Sequence, residues 1–139
     1  MERVLGTAGA VIGRAVIRSA MIGGALVAGS PTNATTIENF QVKTVSDLVD
    51  LCDASPTSEH YVAAVNFCQG FAIGAYQYYL AAAAADPDSQ FICIPDPPPT
   101  RNTAIAAFVA WVKSHSEYMS HPPVDVLFRY LGEAYPCTR

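Results

Sequence analysis

The stretch FCQGFAIGAYQYYL, residues 67–80, decides how the chain folds. It carries no charge, and it sets Gly70 and Gly74 four apart, about one helical turn. Glycine in a helix interior costs about 1 kcal/mol against alanine, so two on one face of a helical run need a reason. The helix has Ser58 as a candidate N-cap and continues to about Ala85. Val65, Cys68, Ala72, Ala75 and Tyr79 share one face, and Phe67, Phe71, Gly74 and Tyr78 share another. A helix apolar over much of its girth must be covered on more than one side, which makes it the central element of an all-α domain. Gly70 and Gly74 then form a flat strip for helix packing, where a neighbouring backbone comes close while Phe67, Phe71 and Tyr78 fill the space beside it. The membrane-dimer reading of G-x-x-x-G needs an apolar segment of about 20 residues, and Gln69 and Gln77 interrupt this one.

Three shorter helices surround it. In TVSDLVDLC, Thr44 is a candidate N-cap, Asp47 stands three residues on, and Leu48, Leu51 and Cys52 recur at helical spacing. After the central helix, DPDSQFICIPDPPPT is a stiff, extended connection, because Pro95, Pro97, Pro98 and Pro99 fix φ and remove donors. A third helix starts at Thr100, carries Ile105, Phe108, Val109 and Val112 with Trp111 beside them, and ends near Ser114. SHSEYMSHPP breaks the chain again. Pro122 and Pro123 suit the first turn of a fourth helix, with Val124, Leu127, Phe128, Leu131 and Tyr135 as its inward stripe. The fold class is thus all-α, a small bundle of about four helices without internal repeats.

The 139 residues are 51% hydrophobic and 14% charged, with ten prolines and four cysteines, which bounds the chain to one small domain. Residues 1–34 differ from the rest. Arg3, Arg14 and Arg18 precede the apolar core SAMIGGALVAG, and small residues follow at Thr32 and Ala34. This is the pattern of a signal peptide cut after Ala34, leaving residues 35–139 as the mature domain. The apolar core is too short to span a bilayer, so an uncleaved N-terminal anchor in the inner membrane is the weaker alternative. Without residues 1–34 the chain has five basic against eleven acidic residues, a balance that argues against nucleic acid or anionic lipid as partner.

All four cysteines, Cys52, Cys68, Cys93 and Cys137, lie in the exported part, where an even number implies two disulfides. Their separations of 16, 25 and 44 residues lack the close pairs of a zinc site. Cys93 precedes the third helix and Cys137 follows the fourth. Consecutive helices joined by a short break run antiparallel, which favours Cys93 with Cys137 and leaves Cys52 for Cys68. The competing pattern, Cys68 with Cys93 and Cys52 with Cys137, stays open because the proline-rich segment can run back along the central helix.

Catalysis finds little support. Ser114, His115 and Glu117 could be cast as nucleophile, base and acid, but neighbours on one helix end point in different directions. His115 reads as a cation at a helix C-terminus, and His60 and His121 as surface or capping residues. No paired carboxylates, phosphate loop or redox C-x-x-C occurs, and no cofactor, metal or small-molecule substrate is implied.

The order DLVDLC, CQGFAIGA, FICIP, a helix, a break containing HP, and a terminal helix closing in AYPC resembles the Rap/Tai family of periplasmic immunity proteins, which protect bacteria against peptidoglycan amidase effectors of type VI secretion. The likeness covers about residues 44–137. It departs from the family's common pattern at Phe71 and Tyr135, each an exchange of one aromatic for another, and in HSEYMSHPP, which replaces H-P-x-x-L. The resemblance implies a periplasmic, homodimeric binding protein whose break between the last two helices inserts into the groove of an amidase effector. The partner-binding residues expected there are Glu117, Tyr118, Met119 and His121, with Trp111 as support. A loop between two helices is exposed, and an acid beside an aromatic, a methionine and a histidine can enter a groove without disturbing the scaffold. The alternative is a periplasmic structural or accessory subunit, tethered by its N-terminus.

Overall fold

Thr44 starts the first helix as its pattern requires: its hydroxyl accepts a hydrogen bond from the Asp47 N–H at 3.4 Å, and the Asp47 carboxylate accepts the Thr44 N–H at 3.0 Å. This reciprocal cap opens α1, Val45–Cys52, in a computed structural model of the protein that describes residues 34–138. The leader read over residues 1–34 lies outside the described residues except for Ala34. The remaining helices are α2, Tyr61–Ala85, α3, Arg101–Ser114, and α4, Pro123–Ala134. Among the described residues there is no strand, only an isolated antiparallel bridge between Ile92 and Pro136. The fold is a small all-α bundle.

Thr100 caps α3 through the Thr103 N–H at 3.2 Å, and Pro123 occupies the first position of α4. The long helix α2 begins later than its serine suggests. Ser58 accepts from the His60 N–H at 3.2 Å in a turn that precedes the helix, and His60 takes the N-cap position without a side-chain bond. A 3-10 helix at Ile37–Gln41, which the sequence pattern did not reveal, lies against α1. Its buried Asn39 amide donates to both Asp47 and Asp50, at 3.2 Å each.

The centre of the bundle is α1, and this corrects the reading that gave α2 the place. Val45, Leu48, Val49 and Leu51 of α1 are buried, and α1 packs on α2, α3 and α4. A fully buried valine or leucine contributes roughly 1.5–3 kcal/mol, so these eight residues anchor much of the core. The long helix α2 buries Ala64, Cys68, Tyr79 and Ala83 on one side only. Its other side is exposed, including Val62 at 69% and Tyr78 at 77%. A run rich in alanine and glycine scores as apolar yet offers little area to bury, so its composition overstated how fully it would be covered.

Gly70 and Gly74 are exposed, and a Cβ built on either meets no neighbouring atom within 4 Å. Among the described residues nothing lies against the strip, so the close neighbour expected there is not a part of the described domain. Alanine at either position should therefore fit and raise stability by about 0.5–1 kcal/mol, by restricting the unfolded chain and restoring helix propensity. Thermal melts of Gly70→Ala and Gly74→Ala followed by circular dichroism, at concentrations where the chain is a monomer, check this, and a loss of stability there would show that the domain itself covers the strip.

The stripe of α4 is also rotated from the one expected. Val126, Leu127 and Tyr130 are buried, whereas Val124 is 43% exposed. Two disulfides close the fold, Cys52 with Cys68 at a Cα separation of 5.2 Å and Cys93 with Cys137 at 4.9 Å. The first joins the end of α1 to α2. The second joins the extended segment before α3 to the end of α4, where Cys93 N–H donates to the Tyr135 carbonyl at 2.8 Å. The same segment is held to α2 by the Tyr79 hydroxyl, which accepts the N–H groups of Phe91 and Ile92 at 2.8 and 2.9 Å.

Candidate functional site

The break between α3 and α4 is short, and its backbone is bound at both ends. A 3-10 turn at Ser116–Tyr118 follows α3 directly, and Tyr118 N–H donates to the His115 carbonyl at 3.0 Å. On the far side, the carbonyls of Met119 and His121 accept the N–H groups of Ser46 and Val45, both at 2.9 Å. Those are donors of the first turn of α1, which have no partner within their own helix. The loop therefore caps the central helix, and its conformation is tied to the core.

Side chains stiffen it further. Trp111, in the last turn of α3, stacks on His115 with ring centroids 4.2 Å apart and on Tyr118 at 5.5 Å with the planes 5° from parallel. Arg129 of α4 lies 5.1 Å from the Tyr118 ring centre, a cation over the face of an aromatic. His121 meets Tyr118 edge-on at 5.5 Å. Beneath the stack lies Tyr130, 5.8 Å from Trp111. His115 Nδ1 is 2.8 Å from the Trp111 carbonyl. A carbonyl only accepts, so Nδ1 carries a proton and donates it.

The four residues read from the sequence divide into two kinds. Tyr118 and Met119 are half-buried and pack against the core cluster formed by α1, α3 and α4. Glu117 and His121 are exposed. The structure brings Tyr118 and His121 into contact and leaves Glu117 without an ion pair among the described residues. Trp111 stands behind Tyr118 as a support. Two further members, His115 and Arg129, were missed. The Trp111–His115 spacing of four residues on a helix could have revealed the first. Nothing local marks Arg129, because its approach to Tyr118 depends on how α4 packs.

Ser114 and His115 do meet, at 3.1 Å between Oγ and Nδ1, contrary to the expectation that they point apart. Both also reach the Trp111 carbonyl, the Ser114 hydroxyl donating to it at 2.8 Å. The nitrogen facing Ser114 thus carries a proton and cannot take another, and Glu117 is neither hydrogen-bonded nor ion-paired to either. The cluster is built for holding a shape. Among the described residues no group of histidines, cysteines and acids could hold a metal ion.

Burial pushes the Tyr130 hydroxyl up from its ordinary 10.0 to about 12, with Tyr135 beside it adding to the shift. The folded state therefore favours the neutral phenol. The stability this represents is complete below pH 10 and is lost as pH rises towards 12. Melting curves across that range should show a fall that Tyr130→Phe reduces, and an unchanged slope in the variant would assign the fall to other groups.

A family model described as Rap1a immunity proteins matches residues 44–137, from the cap of α1 to the last cysteine. The match takes in the four helices, both disulfides and the loop. No curated protein and no solved structure matches the chain.

Proposed function

Because the chain belongs to the Rap1a immunity protein family, an immunity-type group whose members act by binding a protein effector, we propose that it is exported to the periplasm and neutralises a peptidoglycan amidase effector of type VI secretion. The observation that carries this reading is the loop between α3 and α4. It presents Glu117 and His121 on a frame of stacked Trp111, His115 and Tyr118, and its carbonyls are bonded to α1. A segment already held in one conformation loses little entropy on entering a groove, so more of its contact energy appears as affinity. An acid and an imidazole at the tip are groups suited to the polar centre of a hydrolase cleft. The test is protection in cells. Directed to the periplasm together with an amidase effector encoded beside its own gene, the full chain should prevent lysis, and the Glu117→Ala, Tyr118→Ala double variant should not. Lysis at the same rate with and without the intact chain would remove the proposal.

The active form under this reading is a pair of identical chains. The exposed face of α2 supports it: the helix has no charged residue over its 25 positions, so two acidic domains can meet there without like-charge repulsion. Light scattering of the exported domain at tens of micromolar should give the dimer mass, and Tyr78→Glu should give the monomer. A monomer mass for the unaltered protein would exclude the pair.

A further inference from the structure

A cleft of about 320 Å³, open to solvent on one side, lies between α2, α3, α4 and the proline-rich segment, away from the loop. Its existence follows from the packing order. α1 touches every other helix, whereas α2 and α3 hardly approach each other, and Gln69 to Asn102 at 3.2 Å is a single side-chain bond across the gap. Leu48 and the Cys52–Cys68 bridge border the space, and Ile73, Ile105 and Leu131 are among its walls. Pro98 and Pro99 close another side. A disulfide and two prolines make such walls stiff, so the cavity keeps its shape without an occupant.

Its lining holds one charge. Arg101 reaches the cavity from the first turn of α3, and that turn contains no acidic residue. A cation there is opposed by the helix macrodipole and is more stable beside an anion. Acidic residues outnumber basic ones across residues 35–139, yet none pairs with Arg101 among the described residues. Apolar walls with one guanidinium at the edge suit a molecule with an aliphatic body and one anionic end. The volume limits its length. An apolar cavity of about 150 Å³ takes a six-carbon ring, so about twice that volume takes roughly ten to thirteen heavy atoms.

We infer that this cavity binds a free medium-chain fatty acid of about eight to ten carbons, with its chain among Ile73, Ile105 and Leu131 and its carboxylate at the Arg101 guanidinium. The bidentate geometry of guanidinium and carboxylate sets the orientation, and the apolar walls supply the affinity. The inference does not rest on the loop or on the effector it meets.

Methyl NMR of the exported domain titrated with octanoate and, separately, with octan-1-ol tests it. Octanoate should shift the methyls of Ile73, Ile105 and Leu131 to saturation below its micelle concentration. Arg101→Gln should weaken octanoate at least tenfold and leave octanol unchanged, while Ala72→Phe, which occupies the space, should weaken both. The inference is overturned if octanoate gives no saturable shift, or if Arg101→Gln leaves its affinity intact. It is equally overturned if the Ile105 and Leu131 methyls, which belong to α3 and α4, move with protein concentration alone, marking a second copy as occupant, or if the protein sediments with phosphatidylglycerol vesicles while ignoring the free acid.

Discussion

Replacing Cys93 and Cys137 together by serine should lower the stability of the domain by about 4 kcal/mol, and replacing Cys52 and Cys68 by about 3 kcal/mol. The difference follows from loop length. The first bridge closes 44 residues and the second 16, and a longer loop removes more freedom from the unfolded chain. Small domains hold roughly 5–15 kcal/mol in total, so either loss is a large share. At about 4–8 °C per kcal/mol for a domain of this size, the melting temperature should fall by roughly 12 °C or more in each case. Both bridges lie away from the loop: Cys93 precedes α3 and Cys137 follows α4, at the ends of those helices remote from it, and Cys52 closes the end of α1 opposite the one the loop caps. While the variants remain folded, their affinity for the effector should therefore be unaltered. Denaturant melts of both variants at one temperature measure the stabilities, and equal melting temperatures for the variants and the intact protein would show that the bridges add nothing.

Changing Glu117 and Tyr118 to alanine together should reduce affinity for the effector about a hundredfold, near 3 kcal/mol. The two residues contribute differently. Glu117 is exposed and bonded to nothing described, so its removal costs contacts with the partner and little else. Tyr118 meets both Trp111 and Arg129, and truncating it removes the ring on which both contacts that fix the loop depend. Glu117→Ala alone should thus alter affinity with an unchanged melting temperature, while Tyr118→Ala should lower both. Titration calorimetry of the single and double variants separates the two effects. A double variant that binds as tightly as the intact chain would place the interface elsewhere.

Much of the fold could be read before its coordinates, and the exceptions share a physical cause. Thr44, Thr100, Pro122 and Pro123 mark helix ends through local chemistry, so three of the four starts were legible. The faces of α2 were not. Alanine, glycine and tyrosine count as apolar in a periodicity, but burial depends on which neighbours have volume to offer, and these lie on one side only: α1 against Ala64 and Cys68, and Ile92 with Phe128 of α4 against Tyr79 and Ala83. The same holds for α4, where Val126 and Tyr130 turned inward and Val124 outward because the helix packs on α1 and α3 together. At the site, the exposed pair Glu117 and His121 was visible as polar groups in a loop. The frame behind them was only partly visible: Trp111 and Tyr118 were named, whereas Arg129 joins them from a different helix. The hydrogen bonds from α1 to the loop carbonyls were invisible for the same reason, since they join residues over seventy positions apart in sequence.

The central claim is that the loop from His115 to His121 is the surface that meets the effector. Hydrogen exchange of the exported domain, alone and saturated with the effector, tests it most directly, because each segment reports its own protection. The account predicts added protection concentrated in residues 115–121 and the adjoining turns of α3 and α4, with α2 and the 3-10 helix at Ile37–Gln41 unchanged by the effector. Unaltered exchange across 115–121 in a saturated complex, with new protection elsewhere, would contradict it.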